Sequence, residues 1–345
     1  MKTHTILLCT VGIVPQFLLG DFEEDSEQYF EQDNTNSFAV QDILHEIVEN
    51  SSYQSKNWME TYKEVLNKKP LCKIILPGAH DAGAYGFNRK SKVVNLPKFI
   101  EETRKVIQWL PGDGYLTRWS KTQELTIKEQ LEAGIRYFDL RVSQSKDRNF
   151  YLYHGLQGPN LEPVLQAFQD FLRDNKGEIL ILDMSHFFNV SHDELLKLIN
   201  KYLVEFCATK SDITASVTYE ELIRKNKRCL IYYDEKDFAN KNKFLLGTSD
   251  SYWANERKIE KLKNSLKDYH SNRAHSSPWV FQYVLTPNAG YVIKHPLKSV
   301  KHLAKITHEH MDEVLNDCKQ SFPLNIVMFD FVDETLCRKI INLNL

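Results

Sequence analysis

The chain of 345 residues carries 44 Lys plus Arg against 46 Asp plus Glu, a formal charge of −2, and so lacks the basic excess that nucleic-acid binding requires. With 42% hydrophobic and 26% charged residues it can build one large core or two smaller ones, which excludes a wholly disordered chain.

Residues 1–20 begin with Met-Lys-Thr-His, continue with an apolar run from Thr5 to Leu19 that contains Pro15, and end at Gly20. This is the pattern of a secretory signal peptide, too short and interrupted for a membrane span, and it predicts a secreted, extracellular product. Residues 21–37 follow as an acidic segment with Asp21, Glu23, Glu24, Asp25, Glu27, Glu31 and Asp33 and no apolar period, expected to be mobile. Residues 38–345 are expected to form the folded domain. Its last residues, Lys-Ile-Ile-Asn-Leu-Asn-Leu, do not resemble a lipid-anchor signal, and no later run is long enough to cross a bilayer. Asn50-Ser-Ser and Asn189-Val-Ser fit the glycosylation pattern. Apart from Cys9 in the leader, the cysteines are Cys72, Cys207, Cys229, Cys318 and Cys337. None stands in a Cys-x-x-Cys arrangement, which argues against zinc, and the odd number leaves at least one thiol unpaired within the chain. Cys207 and Cys229 flank one connection and are the first choice for a disulfide.

From Leu71 onward short β-rich runs alternate with helical stretches. Strands are expected at Lys73–Leu76, Ile135–Val142, Phe150–Tyr153, Ile179–Leu182, Leu230–Tyr233, Trp279–Leu285 and Asn325–Phe329. Helices are expected at Thr126–Ala133, Leu161–Asn175 and Ser191–Phe206, the last opened by a capping box of Ser191 and Glu194. Strand–helix alternation implies a parallel sheet, and seven or eight such units in about 280 residues match the (β/α)8 TIM-like barrel or a distorted form of it. The longest insertion, Arg89–Ser120, is a candidate lid, with Ile107, Trp109, Leu110 and Trp119 as the residues that approach a membrane.

In such a barrel the site collects the C-terminal strand ends. Those ends carry His80, Asp81, Asp139, Arg141, His154, Asp183, His186, Asp234 and Asp330. Ile135, Tyr137, Asp139 and Arg141 alternate onto one strand face, so a carboxylate and a guanidinium point the same way. On its own that is an ion pair on a half-buried strand. With two histidines at neighbouring strand ends it becomes a set for metal-free phosphodiester chemistry: one imidazole accepts a proton, the other donates one, and the guanidinium fork holds phosphate. Asp139, Asp183 and Asp330 also offer oxygen to Ca²⁺ or Mg²⁺. Arg141 would place a fixed positive charge beside such an ion, so no metal or other cofactor is expected.

The same residues carry a resemblance. Leu-Pro-Gly-Ala-His-Asp-Ala-Gly at 76–83, Trp-Ser-Lys-Thr-Gln-Glu-Leu-Thr-Ile-Lys-Glu-Gln-Leu-Glu-Ala-Gly-Ile-Arg-Tyr-Phe-Asp-Leu-Arg-Val at 119–142 and His-Gly-Leu-Gln-Gly at 154–158 resemble the X domain of phosphatidylinositol-specific phospholipase C. They are most similar to the short eukaryotic PI-PLC X-domain-containing proteins, and the likeness runs from Asn57-Trp-Met to Asp330-Phe-Val. The resemblance implies that His80 is the general base toward the inositol 2-hydroxyl, Arg141 the phosphoryl ligand and His154 the acid toward the diacylglycerol oxygen. Asp330 orients His80 and Asp81 supports His154. It implies cleavage of phosphatidylinositol or a glycosyl-phosphatidylinositol anchor at a membrane surface touched transiently. Calcium-dependent members carry an acidic ligand set, whereas Arg141 two residues after Asp139 matches the metal-independent bacterial pattern. Ala79 and Ala82 stand where that pattern has serine, and the lysine and arginine that grip inositol in bacterial relatives are replaced by neighbourhoods holding Asp183, His186 and Tyr233. Asp139, Asp183, His186, Tyr233 and Trp253 are taken as substrate-binding residues, Trp253 and Tyr291 as a stacking wall. A lipid- or glycan-binding protein with little turnover and a Mg²⁺-dependent barrel phosphodiesterase are the alternatives, separable by an assay in chelator.

Overall fold

Short apolar runs bounded by polar turns become strands buried on both faces, as parallel strands covered by helices must be. Four-residue β1, Leu76–Ala79, and five-residue β6, Cys229–Tyr233, are buried along their whole length. The computed structural model describes residues 55–107, 114–271, 273, 275 and 277–345, within one compact unit, Tyr53–Leu345. The leader, the acidic segment, Asn50, Trp109 and Leu110 lie outside the described residues, as does the side chain of Ile107.

The other strands are β2 (Tyr137–Gln144), β3 (Phe150–His154), β4 (Leu156–Asn160), β5 (Leu180–Phe188), β7 (Asp250–Tyr252), β8 (Trp279–Gln282) and β9 (Ile326–Phe329). They form a single nine-stranded sheet. Its parallel path runs β6-β5-β2-β1-β9-β8-β7. Between β6 and β7 the ladder is not regular. There the stretch leading into β7 bonds to β6 through Leu246 N to Ile231 O and Tyr233 N to Gly247 O, both 2.8 Å, so one irregular segment spans the gap.

Two features depart from the expected pattern. Phe150–His154 is antiparallel to β2 and turns back as β4 across a register shift, so a hairpin grows from the upper half of β2. The apolar run announced a strand, but direction is set by the short polar turn before it, too short for a crossover. Strand β1 starts later than expected, because Leu71–Lys73 forms a 3₁₀ turn, and Asn325 Nδ2 donates to the carbonyls of Leu71 and Ile74 at its two ends.

The helices Ile127–Glu132 and Leu161–Asp174 lie where the 3.6-residue period puts them. A reciprocal capping box of Thr126 and Glu129 opens the first. The second buries Leu161, Val164, Leu165, Phe168, Phe171 and Leu172 on one face, with Phe168 edge-on to Phe138 of β2. Each such buried side chain contributes roughly 1.5–3 kcal/mol. The helix His192–Leu203 begins at Ser191, but Ser191 makes no side-chain cap. Gln144 takes over instead: its Oε1 accepts from Ser191 N at 2.9 Å, and its Nε2 donates to Glu194, which also pairs with Arg148. The expected capping box is thus replaced by a tertiary contact. The five cysteines in the described region are free and buried. Cys207 and Cys229 are neighbours across an isolated parallel bridge, and they meet as two thiols, not as the expected disulfide.

Candidate active site

The C-terminal ends of β1, β2, β3, β5 and β9 converge on a cavity of about 730 Å³ lined by His80, Asp81, Asp139, Arg141, His154 and Asp330. Directly after β1 the chain turns at Asp81, whose φ of +43° lies in the left-handed region that Asp tolerates better than most residues. The turn is held from several sides. Ala82 N donates to Asp139 O at 2.8 Å, Asp81 N donates to Asp139 Oδ2 at 3.0 Å, and Thr122 Oγ1 donates to Asp81 O at 3.2 Å. After β9, Phe331 takes φ +51° and donates its N–H to Thr122 O at 2.7 Å.

Gln123, fully buried, clamps both turns together. Its Nε2 donates to His80 O at 2.7 Å and Phe329 O at 3.3 Å, and its Oε1 accepts from Val332 N at 3.0 Å. Sequence reasoning gave Gln123 no role. A neutral side chain in a loop carries no chemical signature of its own, and only the fold shows that it joins the strand ends bearing His80 and Asp330.

Within the turn geometry the ionisable groups form one array. His80 Nδ1 lies 2.7 Å from Asp330 Oδ1, a contact that fixes the ring and leaves Nε2 facing the cavity. His80 Nε2 and His154 Nε2 are each 3.4 Å from the same oxygen, Asp81 Oδ2. Arg141 forms an ion pair with Asp81, reaches His80 Nε2 at 3.4 Å through Nη2, and stands 3.7 Å from Asp139 Oδ2. His154 Nδ1 meets the Ser120 carbonyl at 2.7 Å, so Nδ1 carries the proton and Nε2 faces Asp81. Burial lowers the affinity of His80 for a proton, but Asp81 and Asp330 outweigh it and raise its pKa to about 9. Burial also pulls His154 down, Asp81 opposes this, and Arg141 adds to it, leaving the pKa below that of a free imidazole. Burial acts against the charge of Asp81 too, yet Arg141 and the two histidines hold its carboxyl at about 2. At neutral pH His80 is therefore the charged ring, and His154 is neutral with its single proton on Nδ1.

Asp183 lines the cavity floor, buried, and accepts hydrogen bonds from Tyr137 Oη and Ser249 Oγ at 2.5 Å each. Burial first, and Asp139 next, raise its pKa to about 6. A register shift between β2 and β5 pairs Asp139 with Asp183 but Arg141 with His186, so β5 spends one extra residue there. That bulge aims His186 at the cavity rim beside Arg141. Trp253 stands exposed at the mouth, its Nε1 donating to Thr286 Oγ1 at 2.9 Å.

Three expected site residues are placed elsewhere. Tyr233 is fully buried and bonds His192 Nδ1 at 2.6 Å. The register pairs Tyr232 with Asp183 and Tyr233 with Met184, so Tyr232 shares the cavity face and Tyr233 the opposite one. Tyr291 packs against Trp119 and His295 and is not among the cavity walls. Trp119 itself is fully buried and cannot meet a membrane. Ala79 and Ala82 are also fully buried and line no part of the cavity, so the missing hydroxyls take nothing from its wall.

Among the described residues, His80, Asp81 and Asp139 are the one group whose ligand atoms lie within 4.8 Å of one another, as a metal site needs. The guanidinium of Arg141 stands against both carboxylates, supplying in place the positive charge that a cation would bring. The donor set therefore does not fit a divalent ion, since a permanent charge at that distance opposes a second.

Residues 116–278 match the family model of PI-PLC X 1. PI-PLC X domain-containing protein 2 of Mus musculus is 31% identical over 294 residues, which is 80% of this chain and 84% of that one. The Homo sapiens protein of the same name is 32% identical over 241 residues, 67% of this chain and 77% of its own. Among solved structures, the phosphatidylinositol-specific phospholipase C from Listeria monocytogenes superposes with a TM-score of 0.56 at 17% identity, covering 85% of this chain and 99% of that one. A variant of the Staphylococcus aureus enzyme gives 0.57 at 12%, covering 83% and 97%. At these identities the superposition speaks for the fold, an α/β barrel of the TIM type.

Proposed function

The chain belongs to the family of PI-PLC X domain-containing proteins, and on that premise we propose that it is a metal-independent phosphodiesterase of the phosphatidylinositol phospholipase C type. The observation that carries this reading is the shared oxygen. Two imidazole Nε2 atoms, each 3.4 Å from Asp81 Oδ2, flank one guanidinium at the mouth of the barrel.

In the proposed reaction His80 takes the proton of the inositol 2-hydroxyl, whose oxygen forms a bond to the adjacent phosphorus. Arg141 holds the phosphoryl oxygens as charge gathers on them. The bond from phosphorus to the diacylglycerol oxygen breaks, and His154 gives that oxygen its proton. The products are a cyclic inositol phosphate and a diacylglycerol, and one proton has passed from one histidine to the other. Each positioned acid or base contributes roughly 10² to 10⁴ in rate. Asp330 orients His80, and Asp81 holds His154.

This sequence requires His154 charged and His80 neutral, the reverse of the free protein. A phosphodiester seated on Arg141 draws the guanidinium from Asp81, and Asp81 is then free to stabilise a protonated His154. The kcat/KM profile is accordingly a bell. Its lower limb lies below the free imidazole value and its upper limb near 9, because the doubly protonated and fully neutral pairs are both unproductive. The cavity is also lined by Asp183, Ser249, Ser251 and Gln282, with Trp253 exposed at its mouth, groups suited to the hydroxyls and apolar face of a polyol ring. Exported by its leader, the protein would act on phosphatidylinositol or on a glycosyl-phosphatidylinositol anchor outside the cell; N-terminal sequencing of material from the medium should begin after residue 20.

The test is diacylglycerol release from phosphatidylinositol vesicles in chelator. Turnover should persist there and fall by at least about 10³ in His80→Ala and in His154→Ala. A requirement for Ca²⁺, or activity that survives His154→Ala, overturns the reading. Tight inositol phosphate binding with no product would assign the barrel to a binding protein.

A further inference from the structure

The stretch Ala289–Thr307 contains four lysines, Lys294, Lys298, Lys301 and Lys305, two histidines, and no carboxylate. It starts on the cavity wall, where Asn288 and Ala289 are lining residues, and leads outward through the helix Ala289–Lys294. At its outer edge stands Leu297, 87% exposed, the most exposed large hydrophobic side chain of the described region, with Ile293 exposed beside the same turn. This exposure belongs to an ordered turn. Lys298 N bonds His295 O at 3.0 Å, Arg118 Nη2 donates to Pro296 O at 3.1 Å, and the Tyr291 ring beneath packs against His295 and Trp119.

The charges sort themselves along the stretch. Lys301 pairs with Glu124, which Lys121 also holds, and Lys305 pairs with Glu309. Lys298 lies over the Tyr291 ring at 5.9 Å. Neither Lys294 nor Lys298 has a carboxylate partner among the described residues. The field of Lys298 is felt by His302, whose proton affinity is lowered first by burial and then by Lys298, His295 and Lys305. An apolar side chain held into water, with a lysine on either side of it along the chain and neither paired to a carboxylate among the described residues, is complementary to one kind of surface: anionic headgroups over hydrocarbon.

We propose that the turn Ile293–Lys298 docks the protein on an anionic lipid bilayer, Leu297 entering the headgroup layer and Lys294 and Lys298 meeting its negative charge. This surface is distinct from the one expected at Ile107, Trp109, Leu110 and Trp119, of which Trp119 is the described side chain and is buried. It lies outside the array of His80, Arg141 and His154, so docking is separable from any chemistry there.

The experiment is cosedimentation of the full chain with two sorts of vesicle, phosphatidylcholine alone and equal parts phosphatidylcholine and phosphatidylserine, neither of which is an inositol lipid. The protein should partition onto the mixed vesicles and be released by raised salt. The double variant Lys294→Ala/Lys298→Ala should weaken that partition about 25-fold, at about fivefold for each lysine near the surface. Leu297→Ala should weaken it several-fold on its own, with the circular dichroism spectrum unchanged. Equal binding to both vesicles, or variants that bind like the parent, overturns the proposal. So does a protein that ignores vesicles but forms a dimer which Leu297→Ala dissociates, since the turn then meets a second copy. Because no lipid in the assay is a substrate, the result stands whether or not the barrel hydrolyses inositol lipids.

Discussion

Two arginines, five residues apart, one just before β2 and one within it, live in different surroundings. Arg136, just before β2, is fully buried, and its Nε donates to Glu178 Oε2 at 2.7 Å. It also donates to the carbonyls of Leu131, Ile135, Ser55 and Lys56, and it lies over the ring of Phe171. Burial raises the pKa of Glu178, which Arg136 opposes. Arg141, within the strand, keeps 22% of its side chain open to solvent and faces carboxylates and histidines that themselves face a cavity. The first guanidinium has spent its donors on the protein; the second is held by charge and keeps a face open to the cavity, where the proposed phosphodiester would meet it.

Substituting the two sites should separate these duties. Arg136→Ala leaves Glu178 buried without its partner and should cost about 3–5 kcal/mol of stability, read as a shifted midpoint in urea. Arg141→Ala should cost less stability than that, because His80 and His154 remain beside Asp81, while kcat/KM on phosphatidylinositol falls about 10²- to 10³-fold or more, as the loss of one preorganised donor predicts. If both variants lose stability equally, the contrast fails.

The next contrast concerns pH. His80 has its folded pKa raised to about 9 from 6.5, so the stabilisation it gains from Asp330 and Asp81 is fully present below 6.5 and is lost as pH rises through 9. Unfolding in urea at pH 6 and at pH 10 should differ by on the order of 1–3 kcal/mol from this group. Asp330→Asn removes the carboxylate on Nδ1, so it should flatten that dependence and move the upper limb of the kcat/KM bell down toward neutral pH. A merely structural Asp330 would leave the limb in place.

Smaller effects sharpen the picture. Gln123→Leu keeps the volume but drops the bonds to His80 O and Val332 N, and should lower kcat more than it raises KM, by about tenfold, because the two turns lose their common clamp. Asp183→Asn keeps an oxygen for Tyr137 and Ser249 while removing a buried charge whose pKa is raised to about 6. It should stabilise the protein on the order of 1 kcal/mol at pH 8 and leave it unchanged at pH 4, where the parent carboxyl is already neutral in the fold.

Much of the ionisable array is legible in the sequence. His80, Asp81, Arg141, His154 and Asp330 each follow or end an apolar run, and a barrel gathers such ends, so alternation of strand and helix was enough to bring them together. Tyr233 was misread for a definite reason: β6 is buried on both faces, so its pattern carries no parity, and a shift of one residue exchanges the cavity for the helix layer. Trp119, expected at a membrane, is found in the core, and Leu297, which the sequence did not single out, is left in water. Hydrophobicity marks a residue that prefers to be buried, and only packing tells which one found a place.

By itself the sequence determined that strands and helices alternate, that the charged strand ends meet, and that a guanidinium sits with two imidazoles, because these follow from local periodicity and from the few ways such units can stack. The tertiary structure alone decided that β3 returns as a hairpin, that Gln123 ties two distant turns, and that the resting positive charge lies on His80 instead of His154. Those outcomes depend on distances between residues far apart in the chain. The balance between desolvation and neighbouring charge is set by a few ångströms that no spacing along the sequence encodes.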